Sequence, residues 1–392
     1  MGQTTTSILK KAEPEKIYGS TISKIASQFY FVNCGESIHD LGDALLYNED
    51  IMALGIVDSN DDLVGIIERL KLFALLSRPF GRDVLKRKKI SEIMEQTQIF
   101  DRNENIFTVA NDILDGINAS ANSYFLLKNN EGRFGGIFSS KDLLLYLSSI
   151  TTQDIDLARV LQQRLVKERD EICEGNLEIL SFSKCAKGVG GDFYYIKKIS
   201  GSKWLINLCD VSGKGVAASL VNTMLWGMVT MNDWKSGLPA FIQKLNGYIV
   251  QSFHMEKYLT GIFAFYDEKN GKLCYCDMGH SHMLLYREDK LFKIKSKKSN
   301  FPIGIEVEIN PHLYNLNVNC GDILFMHTDG LVEQEDVNGQ EYSLTRIENI
   351  LRNNKEKSLN DTADLICLDF AEHHKGIQQH DDYSFILLRR RY

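Results

Sequence analysis

The sequence predicts an α/β (α+β) protein of three successive parts: a duplicated small α/β module, a connector helix and an α/β sandwich. Two observations carry this. A strand, polar turn, strand, helix order occurs twice before residue 149, and the residues after 172 read as many short strands interrupted by four helical runs. A length of 392 residues suits two or three domains.

In the first part, 1–148, one copy holds MALGIVDSNDDLVGIIE (Met52–Glu68) and then a helical run, Arg69–Ser77. The other holds SYFLLKNNEGRFGGIFS (Ser123–Ser139) and then Ser140–Ser148. Asn-Asp in one and Asn-Glu-Gly in the other supply the turns. Helical patterns at Ile38–Asn48 and Ile106–Ile117 precede them. So small a module cannot bury both faces of its sheet, so the copies are expected to pair.

The second part, 149–172, contains DIDLARVLQQRLVKERDEI, which sets Leu157, Ala158, Leu161 and Leu165 on one face of a helix. That helix is expected over Thr151–Ile172, with Thr151 or Thr152 as N-cap. It has no Pro or Gly and should act as a stiff connector.

The third part, 173–392, supplies GDFYYIKKI, KWLINLCDV, LTGIFAFYD, KLCYCDM, HMLLYR, GDILFMHTDG and DDYSFILLR as strands. Many are apolar on both faces, as strands inside a sandwich must be. Helical runs lie at Val216–Met231, Pro239–Gln251, Ser343–Asn353 and Asn360–His373.

Composition excludes several classes. A net charge of −7 gives no electrostatic basis for nucleic acid as a partner. The apolar stretch Ala217–Met231 is broken by Ser219, Asn222, Thr223 and Thr230, so no membrane span is expected. The eight cysteines include no Cys-x-x-Cys pair, which argues against a zinc ribbon and for free, buried thiols in a reducing compartment. A cytoplasmic protein is expected.

The chemistry is expected at strand tips. Asp192 opens a strand after Gly190-Gly191, Asp210 closes an apolar strand, Asp329 follows another, and Asp381 and Asp382 begin the last. Carboxylates that converge repel one another unless they share a proton or hold a cation, and an all-oxygen set favours Mg²⁺, Mn²⁺ or Ca²⁺. The plain alternative is that each Asp caps a turn. Gly213-Lys214-Gly215 lacks the earlier glycine and the Ser/Thr of a P-loop. His280, His282, His373, His374 and His380 lack transition-metal spacing, so surface or supporting roles are expected for them.

The segments VGGDFYY, CDVSGKGVAASLV, CDMGHSHMLLY, FPIGI, CGDILFMHTDG and HDDYSFILL, in that order, resemble the SpoIIE-like branch of the metal-dependent PPM (protein phosphatase 2C-like) serine/threonine phosphatases. The resemblance covers nearly all of Cys173–Tyr392 and implies an α-β-β-α sandwich with two Mn²⁺ or Mg²⁺ ions. It implies that Asp210 bridges both ions and that Asp329 and Asp381 complete the first. Asp192 and the backbone carbonyl of Val211 would serve the second, with Asp382 orienting the set. Where relatives often carry a last Asp in GGDFYD, Tyr195 stands here, and Ser212 stands where eukaryotic members carry a histidine. Altered tuning rather than loss of activity is expected.

The N-terminal repeat, about Phe31–Ser148, resembles a CBS-domain pair. GIFSSKDL (Gly136–Leu143) fits that family's ending and implies that Ser139 and Asp142 bind an adenine nucleotide. Glu68 and Lys71 occupy the matching places in the first copy. A purely structural, dimerising pair is the alternative. Together the resemblances imply a bacterial signalling phosphatase, forming a homodimer, whose substrate is a phosphorylated anti-sigma-factor antagonist (STAS-type) protein. Its rivals are an inactive phosphatase-fold scaffold that senses a nucleotide, and a hydrolase of small phosphoesters.

Overall fold

The computed structural model describes residues 8–14, 19–116, 123–295 and 298–391. Contacts divide the chain into two compact units, Met1–Thr152 and Gln153–Tyr392. Among the described residues no helix is long and apolar enough to cross a membrane.

The N-terminal unit is a repeat with one topology used twice. Strand Tyr30–Asn33 pairs parallel with Ala53–Val57, which turns back antiparallel into Leu63–Glu68. Ile99–Asp101, Tyr124–Lys128 and Phe134–Ser139 repeat that order. Helices Ile38–Leu46 and Ile106–Gly116 make the parallel crossovers. Ile117, the last residue expected in the second of them, lies outside the described residues. The two leading strands, of four and three residues, were not expected, because runs so short show no alternation. The copies pair: Ala53, Val57 and Ile66 pack with Leu126, Phe134 and Ile137. Gly55 makes room, since a Cβ there would come within 2.3 Å of the Phe134 ring.

The connector differs from expectation at both ends. A single helix runs from Ser140 to Leu165, crossing the division between the units. Thr151 and Thr152 are interior, and their hydroxyls donate to the carbonyls of Leu147 and Ser148, each at 2.9 Å. They are not N-caps. The helix starts at Ser140 instead, and without Pro or Gly nothing stops it before Leu165. The expected C-terminal turns are strand Arg169–Glu174, which forms a hairpin with Leu177–Lys184 over Gly175 at φ +56°.

The C-terminal unit stacks two antiparallel sheets. One orders Asp192–Ser200, Lys203–Val211, Leu259–Asp267, Lys272–Met278 and Tyr314–Asn317. The other orders Lys290–Lys293, Met283–Arg287, Ile323–His327, Tyr383–Arg390, Leu177–Lys184 and Arg169–Glu174. The period of two decides each face. Ile386 and Leu388 point into the core shared with the first sheet and with helices Val216–Met231 and Gly237–Phe253. Phe385 and Leu387 point outward, onto helices Leu344–Asn353 and Leu359–His373. This is the α-β-β-α sandwich. All eight cysteines are free, but only Cys209 and Cys276 are buried as expected: Cys34, Cys185, Cys274 and Cys367 are half-buried, and Cys173 and Cys320 are exposed, at an edge strand and a turn.

Candidate active site

Strand register builds the site. Asp192 lies directly opposite Asp210 in the antiparallel pair, and Val211 lies opposite Leu259. In the other sheet His327 pairs with Phe385 in an antiparallel register, which brings the residues that follow the first strand, Thr328 and Asp329, to the end where Asp381 and Asp382 lead into the second. Asp329 opens a short helix, Asp329–Val332, beside Asp381 and Asp382. Gly330 is required there, because a Cβ would meet the Asp382 carbonyl oxygen at 2.0 Å.

Hydrogen bonds tie the two sheets at this end. The Thr328 hydroxyl donates to Asp192 Oδ2 at 2.8 Å and accepts from the Ser384 N–H at 2.9 Å. Asp382 accepts from the backbone N–H of Ala186 and of Gly191, each at 2.7 Å. Both its oxygens are therefore committed to holding the loop before Asp192.

A cavity of about 280 Å³ is lined by Asp210, Val211, Ser212, Lys214, Asp329 and Asp381, together with His280 and His282. Asp192 lies behind it, only 4% exposed, and borders a second cavity of about 300 Å³ with Gln162 and Cys185. Thus Asp210, Val211, Asp329 and Asp381 share one space, and Asp192 reaches it only through its place opposite Asp210.

The electrostatics are those of crowded acid. Burial, then the charges of Asp329, Asp381 and Asp382, push the Asp210 carboxyl up to about 8, while Lys214 opposes. Burial, then Asp210 and Asp382, hold Asp192 well above the usual carboxylate range. Burial also raises Asp382, against the two N–H groups it accepts from. Lys214 Nζ stands 2.9 Å from Asp381 Oδ2 and donates to the His380 carbonyl at 2.6 Å. The hard oxygen donors and the excess of negative charge fit a divalent cation of the Mg²⁺ or Mn²⁺ type.

Among the described residues, only Glu171, Cys173 and Glu178 bring three ligand atoms within 4.8 Å of one another. That group is already served: Glu178 accepts from Leu359 N–H at 2.9 Å and faces Arg391 at 3.4 Å. The site aspartates stand wider apart, as like charges do.

Other expected residues fall out as follows. Ser212 Oγ accepts from Tyr258 N–H at 3.0 Å, a turn contact. Tyr195 is half-buried and packs against the large core. His280 is not on the surface: it is buried, with Thr260 Oγ1 and the His327 carbonyl each 2.9 Å from its ring nitrogens. His373 and His374 bond to backbone carbonyls and assemble no metal site. Ser139 and Asp142 do meet: Ser139 Oγ and N–H both donate to Asp142 Oδ2, at 2.7 and 2.8 Å, and Asp142 N–H donates to Ser139 Oγ at 3.1 Å. This reciprocal pair caps the connector helix. Lys71 and Glu68 make the matching i,i+3 pair in the first copy, at 2.8 Å. Lys214, Thr328 and Gln162 were not anticipated. Lys214 alone had a signal, its place between two glycines after Asp210.

Residues 200–391 match the family of stage II sporulation protein E (SpoIIE). The phosphoserine phosphatase RsbU of Bacillus subtilis (strain 168) is 24% identical over 267 residues, which are 66% of this chain and 76% of RsbU. The phosphoserine phosphatase RsbP of the same organism is 21% identical over 243 residues, 61% of this chain and 58% of RsbP. Among solved structures, the SiaA-PP2C domain of Pseudomonas aeruginosa shares the fold at a TM-score of 0.52 and 18% identity, over 62% of this chain and 98% of that domain.

Proposed function

Residues 200–391 of this chain belong to the SpoIIE family of PP2C-type phosphatases, and from that premise we propose that the chain hydrolyses phosphoserine or phosphothreonine on a protein with the help of two divalent cations. The observation that carries this reading is the convergence of Asp210, Asp329, Asp381 and the Val211 backbone on one small polar cavity at the tips of two sheets. In this reading Asp210 would serve both cations, Asp329 and Asp381 would help to hold one, and Asp192 with the Val211 carbonyl would hold the other. Such cations, when bound, lower the pKa of an attacking water and offset charge on the phosphoryl oxygens. The chain's own part is to hold that set still. Thr328 fixes Asp192, Asp382 fixes the loop before it, and Lys214 balances Asp381.

A cavity of about 280 Å³ lies at the small end for binding sites. It suits a phosphoryl group on a short side chain, so recognition must come from surfaces outside it. That favours a phosphoprotein over a small phosphoester. RsbU and RsbP are named phosphoserine phosphatases, and the resemblance points to a STAS-type antagonist as the substrate. In the same reading the N-terminal repeat is the control element, as a CBS-type pair within a homodimer. A nucleotide there would have to displace the Ser139–Asp142 hydrogen bonds, and calorimetric titration with ATP, ADP and AMP tests it.

The deciding experiment is turnover of p-nitrophenyl phosphate and of phosphorylated STAS proteins with Mn²⁺, with and without EDTA. Activity should vanish with EDTA and fall at least about 100-fold in Asp210→Asn, because one carboxylate serves both ions. Wild-type turnover by Asp210→Asn at saturating Mn²⁺ would refute the assignment.

A further inference from the structure

We propose that Gln162, on the connector helix, is the positioning residue for the loop that carries Asp192, and that its hold on Gly190 sets the affinity of the site for Mn²⁺. The proposal rests on the two-cation reading above and deepens it.

The burial along this helix is inverted. Leu157 and Leu161, which the amphipathic pattern assigns to the inner face, are 60% and 53% exposed, whereas Gln162 is 7% exposed. Burying an amide while leaving two leucines in water is unfavourable unless the amide finds partners of good geometry. It finds two on one residue. Gln162 Nε2 donates to the Gly190 carbonyl at 2.7 Å, and Gln162 Oε1 accepts from the Gly190 N–H at 3.0 Å. The side chain thus pairs with the backbone as a neighbouring strand would.

Every backbone polar group of Gly190-Gly191 has a partner. Asn222 Nδ2, from helix Val216–Met231, adds a bond to the Gly190 carbonyl at 3.1 Å and another to the Asp192 carbonyl at 3.1 Å. The Gly191 N–H donates to Asp382, and the Gly191 carbonyl accepts from Val211 N–H at 3.1 Å. Side-chain packing cannot replace these bonds, because a Cβ at Gly190 would lie 2.4 Å from Asp382 Oδ2 and 2.7 Å from Cys185 Sγ. The two residues fixed by this loop, Asp192 next in the chain and Val211 across from Gly191, are the pair assigned above to one cation. Gln162 is the only side chain bonded to the Gly190 N–H among the described contacts. Without it a cation must order the loop as it binds, and affinity falls by the cost of that ordering.

The test uses the full chain with Gln162→Met, which keeps length and volume but makes no hydrogen bond, and Gln163→Met, an exposed neighbour, as control. Calorimetric titration of the metal-stripped proteins with Mn²⁺ should show binding weakened about 10-fold in Gln162→Met and unchanged in Gln163→Met. Hydrogen exchange without metal should show the Gly190 amide exchanging faster in Gln162→Met alone. Turnover lost at low Mn²⁺ should return at saturating Mn²⁺, a recovery that general destabilisation would not give. If Gln162→Met does not fold, Gln162→Glu, which keeps an acceptor for the Gly190 N–H, carries the same measurements, with affinity between wild type and the loss expected for Met. Unchanged Mn²⁺ affinity and unchanged Gly190 exchange would overturn the proposal while leaving the phosphatase reading intact. A wild-type chain that binds no Mn²⁺ would instead overturn the two-cation reading on which it rests.

Discussion

At the residue scale the site depends on polar groups kept dry and paired. Thr328 is 0% exposed, and its one hydroxyl serves Asp192 in one sheet and Ser384 in the other. Thr328→Val keeps the shape and strips both bonds, so it should cost about 1–3 kcal/mol for each buried partner left alone, read as a lowered denaturation midpoint. His280 offers a pH test. Burial lowers its pKa from 6.5 to about 3, helped by neighbouring His282 and opposed by the bond to the His327 carbonyl. A folded value below the unfolded one means that its contribution is complete above pH 6.5 and is lost as pH falls toward 3. His280→Gln keeps hydrogen-bonding atoms but does not titrate. The lead in melting temperature of the wild type over this variant should therefore shrink by at least about 2 °C on acidification through that window. Comparing the two proteins cancels the opposite trend of Asp192 and Asp210, which both share. A lead independent of pH would count against a neutral, buried His280.

At the scale of elements, some parts were legible in the sequence and some were not, for physical reasons. Long strands such as Lys203–Val211 show as apolar runs ending in turn residues, and the acids at their tips mark the site. Helix ends were less legible. Thr151 and Thr152 are good capping residues by type, but the reciprocal bonds of Ser139 and Asp142 start the helix eleven residues earlier, and nothing in between breaks it. Gln162 was illegible because its partner lies 28 residues away and is backbone. Ser139→Ala should remove a cap and cost about 1 kcal/mol, measured by chemical denaturation. Gly330→Ala should be worse. With the Asp382 carbonyl 2.0 Å from the new Cβ, the helix bearing Asp329 must move away from the last strand. Loss of about 1–3 kcal/mol is expected, with activity falling more than stability does.

At the scale of the whole molecule, each unit has hydrophobic clusters of its own among the described residues: Ile38, Leu41 and Leu72 belong to one set, and Leu208, Leu225 and Ile386 to another. Calorimetry should therefore resolve two unfolding transitions. Mn²⁺ at about 100 times its Kd should raise the later unit alone, by the equivalent of about 2.7 kcal/mol. Equal shifts in both would mean that the units unfold as one. The sheet order has a further consequence, in the time of synthesis. Strand Tyr383–Arg390 is the latest-made element of the site, yet it lies in the middle of its sheet, between Ile323–His327 and Leu177–Lys184. At about 5–20 residues per second, on the order of 10 s separates the emergence of Asp192 from that of Asp381. Through that interval the growing chain on the ribosome carries the first acids of the site without the last, and its larger sheet stands open as two halves awaiting their central strand. The ability to cleave phosphate thus arrives in a single late step, and a nascent chain is a bystander to the signal that its finished form is proposed to erase.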